Sequence, residues 1–112
     1  MITIKHLVLE ALEKTGEKPD NLVCFYQEAE GHDWAEWLSG APVDPKTIHR
    51  CSFSELPERE YSDSFGGPDG PAFIGFSDRY VYISEQYDGT ESVQPIPRNP
   101  EDVGAFIPWP GG

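Results

Sequence analysis

The first residues of the chain carry apolar side chains at the spacing of an amphipathic α-helix. Five apolar positions follow the i, i+3, i+4, i+7, i+8 pattern: Ile4, Leu7, Val8, Ala11 and Leu12. Thr3 can cap the start of this helix through its hydroxyl, and Gly16 can end it. The pattern therefore predicts a helix with one buried side at the N-terminus.

Two stretches after this helix have the composition of β-strands. LVCFYQEA (22–29) is rich in β-branched and aromatic residues. TIHRCSF (47–53) predicts a second strand, in which successive side chains point to opposite faces of the sheet. One face would carry Thr47, His49, Cys51 and Phe53, and the other would carry Ile48 and Arg50. Between them, DWAEWLSG predicts a short helix that begins at Asp33 and ends before Pro42.

The second half of the chain predicts three consecutive antiparallel strands, PAFIGF (71–76), RYVYISEQ (79–86) and TESVQPI (90–96). Asp88-Gly89 is a strong hairpin signal between the last two. Alternation predicts that Tyr80 and Tyr82 share one face, with Val81 and Ile83 on the other. Because proline cannot donate to a neighbouring strand, Pro95 and Pro97 predict an edge strand or a shortened one.

These elements predict a single α+β domain over residues 1–112. It contains an antiparallel sheet of about four or five strands with the N-terminal helix packed on one face. Residues 56–71, rich in turn formers, predict a long surface loop, and residues 104–112 form a C-terminal tail. NPEDV (99–103), just before the tail, predicts a first helical turn with Asn99 as its cap.

The charge balance of the chain limits the classes of partner that the protein can bind. Twenty acidic residues against eight basic ones leave a formal net charge of −12, which opposes direct binding to nucleic acids and to anionic membranes. It favours a basic protein partner, or serves only solubility. No stretch approaches the roughly 20 apolar residues of a membrane span, and the N-terminus lacks a signal-peptide layout. We therefore expect a cytoplasmic protein.

Residues that could carry catalysis or hold a metal do not form a known pattern. The candidate metal ligands Cys24, His32, His49 and Cys51 have no paired spacing, and without a secretion signal the two cysteines are expected to be buried thiols rather than a disulfide. The chain has no GxSxG motif, and its glycine-rich GGPDG stretch has no lysine for a phosphate. The sequence therefore predicts neither an enzyme nor a bound cofactor or metal.

Aromatic residues are the candidates for contact with a partner protein, since large rigid rings anchor many interfaces. We single out Trp34, Tyr80, Tyr82 and Trp109. The alternative for the two tyrosines is a sheet face covered by the N-terminal helix. One helix cannot cover both faces of a sheet, so the pattern alone leaves the two interpretations open.

The C-terminal stretch EDVGAFIPWPGG resembles the ending of sulfur-carrier and ubiquitin-like proteins, notably the small subunits of molybdopterin synthase. The matching order is an acidic turn, an apolar strand, proline and Gly-Gly, carried here by Glu101, Asp102, Val103, Phe106, Pro108, Gly111 and Gly112. The resemblance implies that Gly111 and Gly112 enter a narrow site of an adenylating enzyme and form a thiocarboxylate or a conjugate. It covers only the last dozen residues. Those families have a β-grasp fold that opens with a hairpin, whereas this chain is predicted to open with a helix.

Three hypotheses for function follow, all of them non-enzymatic protein interaction. The first is a ubiquitin-like modifier or sulfur carrier that acts through Gly111 and Gly112. The second is an acidic inhibitor or immunity-type protein that neutralises a toxin or nuclease, including by mimicry of nucleic acid. The third is an accessory subunit that binds another protein through an aromatic sheet face.

Overall fold

The computed structural model of the protein describes residues 2–27, 48–61, 71–87 and 90–103. In these ranges the strands form one five-stranded sheet in the order β2-β1-β3-β4-β5, with every neighbouring pair antiparallel. The strands are β1 (Val23–Gln27), β2 (His49–Ser52), β3 (Ala72–Phe76), β4 (Tyr80–Tyr87) and β5 (Thr90–Pro97). Together with the N-terminal helix they make a small α+β domain, which confirms the predicted fold class.

Helix α1 (Ile4–Thr15) begins and ends at the predicted residues. The hydroxyl of Thr3 accepts a hydrogen bond from the backbone N–H of His6 at 3.2 Å. Gly16 adopts a left-handed conformation with φ 76°, and its N–H donates to the carbonyl of Leu12 at 2.9 Å. The five apolar positions that predicted this helix are its buried positions.

The meander β3-β4-β5 has the predicted arrangement, and β5 is an edge strand. Pro95 lies opposite Tyr82, and Pro97 lies opposite Tyr80. An edge position suits both prolines because neither can donate a backbone hydrogen bond to a further strand. The strand nevertheless continues to Pro97, so the prolines do not shorten it.

Short helical turns follow both edge strands of the sheet, β2 and β5. The 3₁₀ turn Phe53–Glu55 is closed by a capping box in which Ser52 and Glu55 bond each other's backbone. Helix α2 (Pro100–Val103) follows β5, and the side-chain oxygen of Asn99 accepts from the N–H of Glu101 at 3.2 Å. The predicted cap at Asn99 is therefore confirmed. Within the described ranges, neither helix has both the length and the hydropathy needed to cross a membrane.

The predictions for the middle of the chain need revision. β2 is shorter than the predicted strand 47–53, because the chain turns into a 3₁₀ helix at Phe53. The stretch 56–71 is not entirely a surface loop, since Leu56 and Tyr61 are buried. Tyr61 also exchanges two backbone hydrogen bonds with Ile2, of 2.9 and 2.8 Å. Residues 62–70 and the helix predicted after Asp33 lie outside the described residues.

The core lies between α1 and one face of the sheet. Its fully buried side chains come from the helix and from alternate strand positions, and the largest are Tyr82, Phe73, Ile4, Val8, Val93 and Cys24. Since α1 also contacts β5, the helix lies over the half of the sheet that the meander forms. Its apolar side therefore packs against Tyr82 and Val93 and not against the opposite face.

Gly75 in β3 lies in a tightly packed part of this core. It lies opposite Cys24 in β1 and opposite Tyr82 in β4. A Cβ atom at Gly75 would lie 2.8 Å from Cζ of Phe73 and 3.3 Å from Cδ1 of Leu22. The missing side chain therefore provides the space that the ring of Phe73 occupies.

We expect Gly75→Ala to lower the free energy of unfolding by about 1–3 kcal/mol, because the ring of Phe73 must move. At a position with free space, the same change would raise stability by about 0.4–1 kcal/mol through the entropy of the unfolded chain. Urea denaturation shows whether the free energy of unfolding falls or rises in Gly75→Ala. Glu13→Ala, on the exposed side of α1, is a control in which the free energy of unfolding should change little. A more stable Gly75→Ala protein would show that this contact is not tight.

Candidate functional site

The sheet has a second face that no described helix covers, and its side chains are mostly apolar. The register places on it Val23 and Phe25 of β1, Ile74 and Phe76 of β3, and Val81 and Ile83 of β4. We call these six side chains the open face. Ile74 is 44% exposed and Val23 is 36% exposed, while the other four are partly buried. This is an apolar surface on a strongly acidic protein.

Two arginine side chains lie against the aromatic rings of the open face. The guanidinium of Arg50 is 5.7 Å from the ring centre of Phe25, and that of Arg98 is 5.7 Å from the ring centre of Phe76. The two rings contact each other edge to face, with centres 5.8 Å apart. Such contacts contribute about 0.5–1 kcal/mol each at exposed sites. The arginines therefore place positive charge beside the open face.

A groove of about 300 Å³ lies at the end of the sheet where β1 ends and β3 begins. Ile74 and Ile83 of the open face line it together with Ile48, whose side chain is 66% exposed. Among the described residues that line it, Gln27, Ser84 and Tyr26 carry polar groups and none is charged. This lining suits an apolar group better than an ionic ligand.

The accessible part of this face is centred on β1 and β3. Towards the edge strand β5 the face becomes more enclosed, because Gln94, the register partner of Ile83, is only 7% exposed. Ile48, next to β2, is the most exposed large apolar residue among those described. The exposed apolar surface of this face therefore lies over β1 and β3 rather than over β5.

The structure corrects the prediction for Tyr82. Tyr80 and Tyr82 do share a face, as predicted, but it is the face that packs against α1, and Tyr82 is 0% exposed. Its ring is a core side chain that a partner cannot reach in this fold. Tyr80 is half-buried against the same core, with its ring centre 6.0 Å from that of Tyr82.

The hydroxyl of Tyr82 belongs to a polar network at the C-terminal end of α1. It donates to a carboxylate oxygen of Glu17 and lies 2.8 Å from the hydroxyl of Thr15. The same Glu17 oxygen accepts from the hydroxyl of Ser77 at 2.6 Å. Burial and the bond to Glu17 raise the pKa of Tyr82, so the phenol stays protonated.

Cys24 and Cys51 are free thiols and occupy directly opposed positions in β1 and β2. Burial, together with the adjacent Cys51, raises the pKa of Cys24 to about 12. Burial and the nearby Glu55 also raise the pKa of Cys51, which is half-buried. Both sulfurs are therefore poor nucleophiles at neutral pH.

The structure places His49 on the same face as Cys51, as predicted, but assigns it a packing contact. Its ring stacks on that of Tyr26 in the neighbouring strand, with centres 4.8 Å apart. Among the described residues, no three His, Cys, Asp or Glu side chains are grouped so that they could hold a metal ion. His32 lies outside those residues.

Four of the predicted site residues lie outside the described residues: Trp34, Trp109, Gly111 and Gly112. Their roles in binding and conjugation stay predictions. The described fold does differ from the β-grasp arrangement that the resemblance of the tail implies, since the chain opens with α1 and not with a hairpin.

No protein family, no curated protein and no solved structure matches this chain.

Sequence reasoning missed the open face, although a signal for it is present. In β3 and β4 the residues at both alternate sets of positions are apolar or aromatic, which is typical of strands with two non-polar faces. Because the chain has one long predicted helix, that helix can cover only one of the two faces of the sheet. The signal was the apolar character of Ile74, Val81 and Ile83, opposite the tyrosines.

We expect Tyr82→Phe to lower the free energy of unfolding by about 1–2 kcal/mol near neutral pH, because Glu17 loses a buried hydroxyl donor. Tyr80→Phe, in the same strand and on the same face, is the matched control and leaves the Glu17 network in place. Urea denaturation of both variants measures the difference. Equal losses in the two variants would show that the bond to Glu17 contributes nothing specific.

We also expect stability to fall in alkaline solution. The pKa of Cys24 is higher in the folded protein than its ordinary value of 9.0, and that of Tyr82 is higher than 10.0. Stability from a group with a raised pKa is complete below the ordinary value and is lost as pH rises towards the folded value. The urea concentration at the midpoint of unfolding should therefore stay constant up to about pH 9 and decline between about pH 9 and 12. Tyr82→Phe should weaken this decline, and an unchanged slope would exclude a contribution from Tyr82.

Proposed function

We propose that this protein is a non-enzymatic interaction domain that binds a basic partner protein through the open face of its sheet. The observation that carries the proposal is the exposure of Val23 and Ile74 beside the partly buried rings of Phe25 and Phe76. Contiguous apolar surface on a folded protein is typical of a docking site. The groove beside Ile74 and Ile48 supplies a recess for an apolar anchor side chain of the partner.

Charge supports a basic partner at long range and adds orientation at short range. The net charge of −12 attracts a cationic protein before contact. At the face itself, Arg50 and Arg98 flank the aromatic pair and can meet carboxylates at the rim of the partner's surface. Attraction by the whole molecule and local pairing by the arginines therefore act at different stages of association.

The inhibitor or immunity-type protein and the accessory subunit are two versions of this proposal. In both, the partner's apolar surface covers the open face. They differ in what the partner does: a toxin or nuclease is blocked in the first version, and an enzyme or assembly is completed in the second. The strongly acidic composition favours the first, because basic surfaces are typical of nucleases.

We expect Ile74→Lys to weaken partner binding at least about tenfold, because a charge would be buried in the interface. Leu9→Lys is the matched control: Leu9 is 42% exposed on α1, close to the 44% of Ile74. Wild-type and variant proteins are immobilised and exposed to a lysate of the source cells, and captured proteins are quantified by mass spectrometry. The proposal requires a protein that wild type and Leu9→Lys retain and Ile74→Lys loses. Equal capture by Ile74→Lys would exclude the open face.

The same capture at low and high salt tests the charge argument. Steering between charges is screened beyond about 8 Å at physiological ionic strength, so a basic partner should bind more slowly as salt rises. We expect the association rate with the captured partner to fall at least about tenfold between low and high salt. A rate that does not depend on salt would leave the net charge as a solubility feature.

The modifier or sulfur-carrier function through Gly111 and Gly112 is a second proposal, supported by the Gly-Gly ending of EDVGAFIPWPGG. Deletion of Gly111 and Gly112 should leave folding unchanged and abolish any adenylate, thioester or conjugate formed with an adenylating enzyme. Gly112→Ala is a milder variant, because one methyl group tests the width of the enzyme's cleft. An intact partner complex after the deletion would separate this function from binding at the open face.

A further inference from the structure

The only two cysteines of the chain face each other across two neighbouring strands. Cys24 in β1 and Cys51 in β2 are partners in an antiparallel register, so their side chains leave the sheet on the same face. Both are free thiols. Cys24 is fully buried, whereas Cys51 is partly exposed. Solvent therefore reaches one thiol of the pair and not the other.

The backbone geometry of such a pair suits a disulfide. Directly opposed residues in antiparallel strands have Cα atoms about 4.5–5.5 Å apart, within the range of about 4.4–6.8 Å found across disulfides. The Cβ atoms need to approach by up to about 1 Å. β2 can make this adjustment because it is an edge strand whose strand partner in the sheet is β1.

We propose that Cys24 and Cys51 form a reversible cross-strand disulfide when the protein meets a hydroperoxide. The Cys51 thiol first attacks the peroxide: the O–O bond breaks, Cys51 becomes a sulfenic acid, and with hydrogen peroxide one water leaves. The sulfur of Cys24 then attacks the sulfur of Cys51, the S–O bond breaks, and a second water leaves. The two thiols lose two electrons in total, and the peroxide gains them.

Accessibility sets the order of these steps. Cys51 is the thiol that a small oxidant can reach, whereas Cys24 is buried directly opposite Cys51. The raised pKa of both groups keeps thiolate scarce at neutral pH, so each step is slow. These features fit a bond that forms under sustained oxidant and are unsuited to rapid turnover of peroxide.

The bond would close a ring over residues 25–50 and tie β2 to the rest of the sheet. β2 is held by four register pairs with β1, and its side chains are mostly exposed. The disulfide lies on the helix side of the sheet, opposite the open face, so it does not depend on the proposed partner binding. Its effect would fall on the edge of the sheet beside Ile48 and Arg50.

The test uses the full reduced chain treated with hydrogen peroxide, followed by alkylation and mass spectrometry. We expect a monomer lighter by two hydrogen atoms, a peptide pair joined through Cys24 and Cys51, and complete reversal by dithiothreitol. The oxidised protein should unfold at a temperature roughly 5–10 °C higher, because the closed ring restricts the unfolded chain. Accumulation of sulfinic acid on Cys51, or of disulfide-linked dimers in place of the internal bond, would overturn the proposal.

A second measurement does not require a variant to fold. The wild-type protein is equilibrated with a glutathione redox buffer in its native state and in urea, and the fraction of internal disulfide is compared. If the native register aligns the thiols, the disulfide is favoured about tenfold or more in the native state. A native value equal to or below the denatured one would show that the strands hold the sulfurs apart.

Single variants separate the roles of the two cysteines. Cys24→Ser should leave Cys51 as a sulfenic acid that dimedone traps, because the second thiol is missing. Cys51→Ser should leave Cys24 unmodified at the same peroxide dose, because Cys24 is buried. Oxidation of Cys24 in the folded Cys51→Ser protein would contradict the proposed order.

Discussion

The buried hydroxyl of Tyr82 connects the two layers of this protein. Its ring fills the space between α1 and β4, and its oxygen meets Thr15 and Glu17 where the helix ends. Glu17 also binds Ser77 at the turn between β3 and β4. The helix is thus held over the meander by apolar packing along its length and by charge-assisted hydrogen bonds at one end. Rotation of α1 away from Tyr82 would leave the buried hydroxyl of Tyr82 without its bond to Glu17.

This attachment decides which face of the sheet is covered. A helix of 12 residues has one apolar side, and here that side is used on the face that carries Tyr82 and Val93. The open face then depends on the arginines that lie over Phe25 and Phe76 for partial cover. Guanidinium groups can shield a ring and stay hydrated, so they cover apolar surface without closing it to a partner. The position of the candidate site is therefore a consequence of the packing of α1.

The sequence predicts those parts of the fold that depend on local chemistry. The spacing of Ile4 to Leu12, the cap at Thr3 and the stop at Gly16 determine α1 without reference to the rest of the chain. The prolines of β5 likewise imply an edge, since the missing donors are a property of those residues. Alternation also separates Tyr82 from Ile83 correctly. Alternation cannot say which of the two sets of side chains packs against the helix when both are apolar, and for this reason the sequence leaves open whether Tyr82 is buried.

The register between strands that are far apart in the sequence cannot be predicted from local patterns. Cys24 and Cys51 are far apart in sequence, and a shift of β2 by two residues along β1 would keep every side chain on its face while separating the sulfurs. The pairing therefore depends on tertiary contacts around β2, such as the stacking of His49 on Tyr26 and the position of Arg50 against Phe25. These contacts could not be derived from composition or spacing.

The acidic composition and the apolar open face are compatible because they act over different distances. Two copies of the chain, each with a net charge of −12, repel one another before their apolar faces meet. The same field attracts a cationic protein, for which the apolar contact then adds to the electrostatic one. High net charge thus permits a protein to expose Ile74 and Val23 without associating with itself. The electrostatic field of the protein therefore repels a second copy and attracts a basic partner at long range. The open face then supplies the contact at short range.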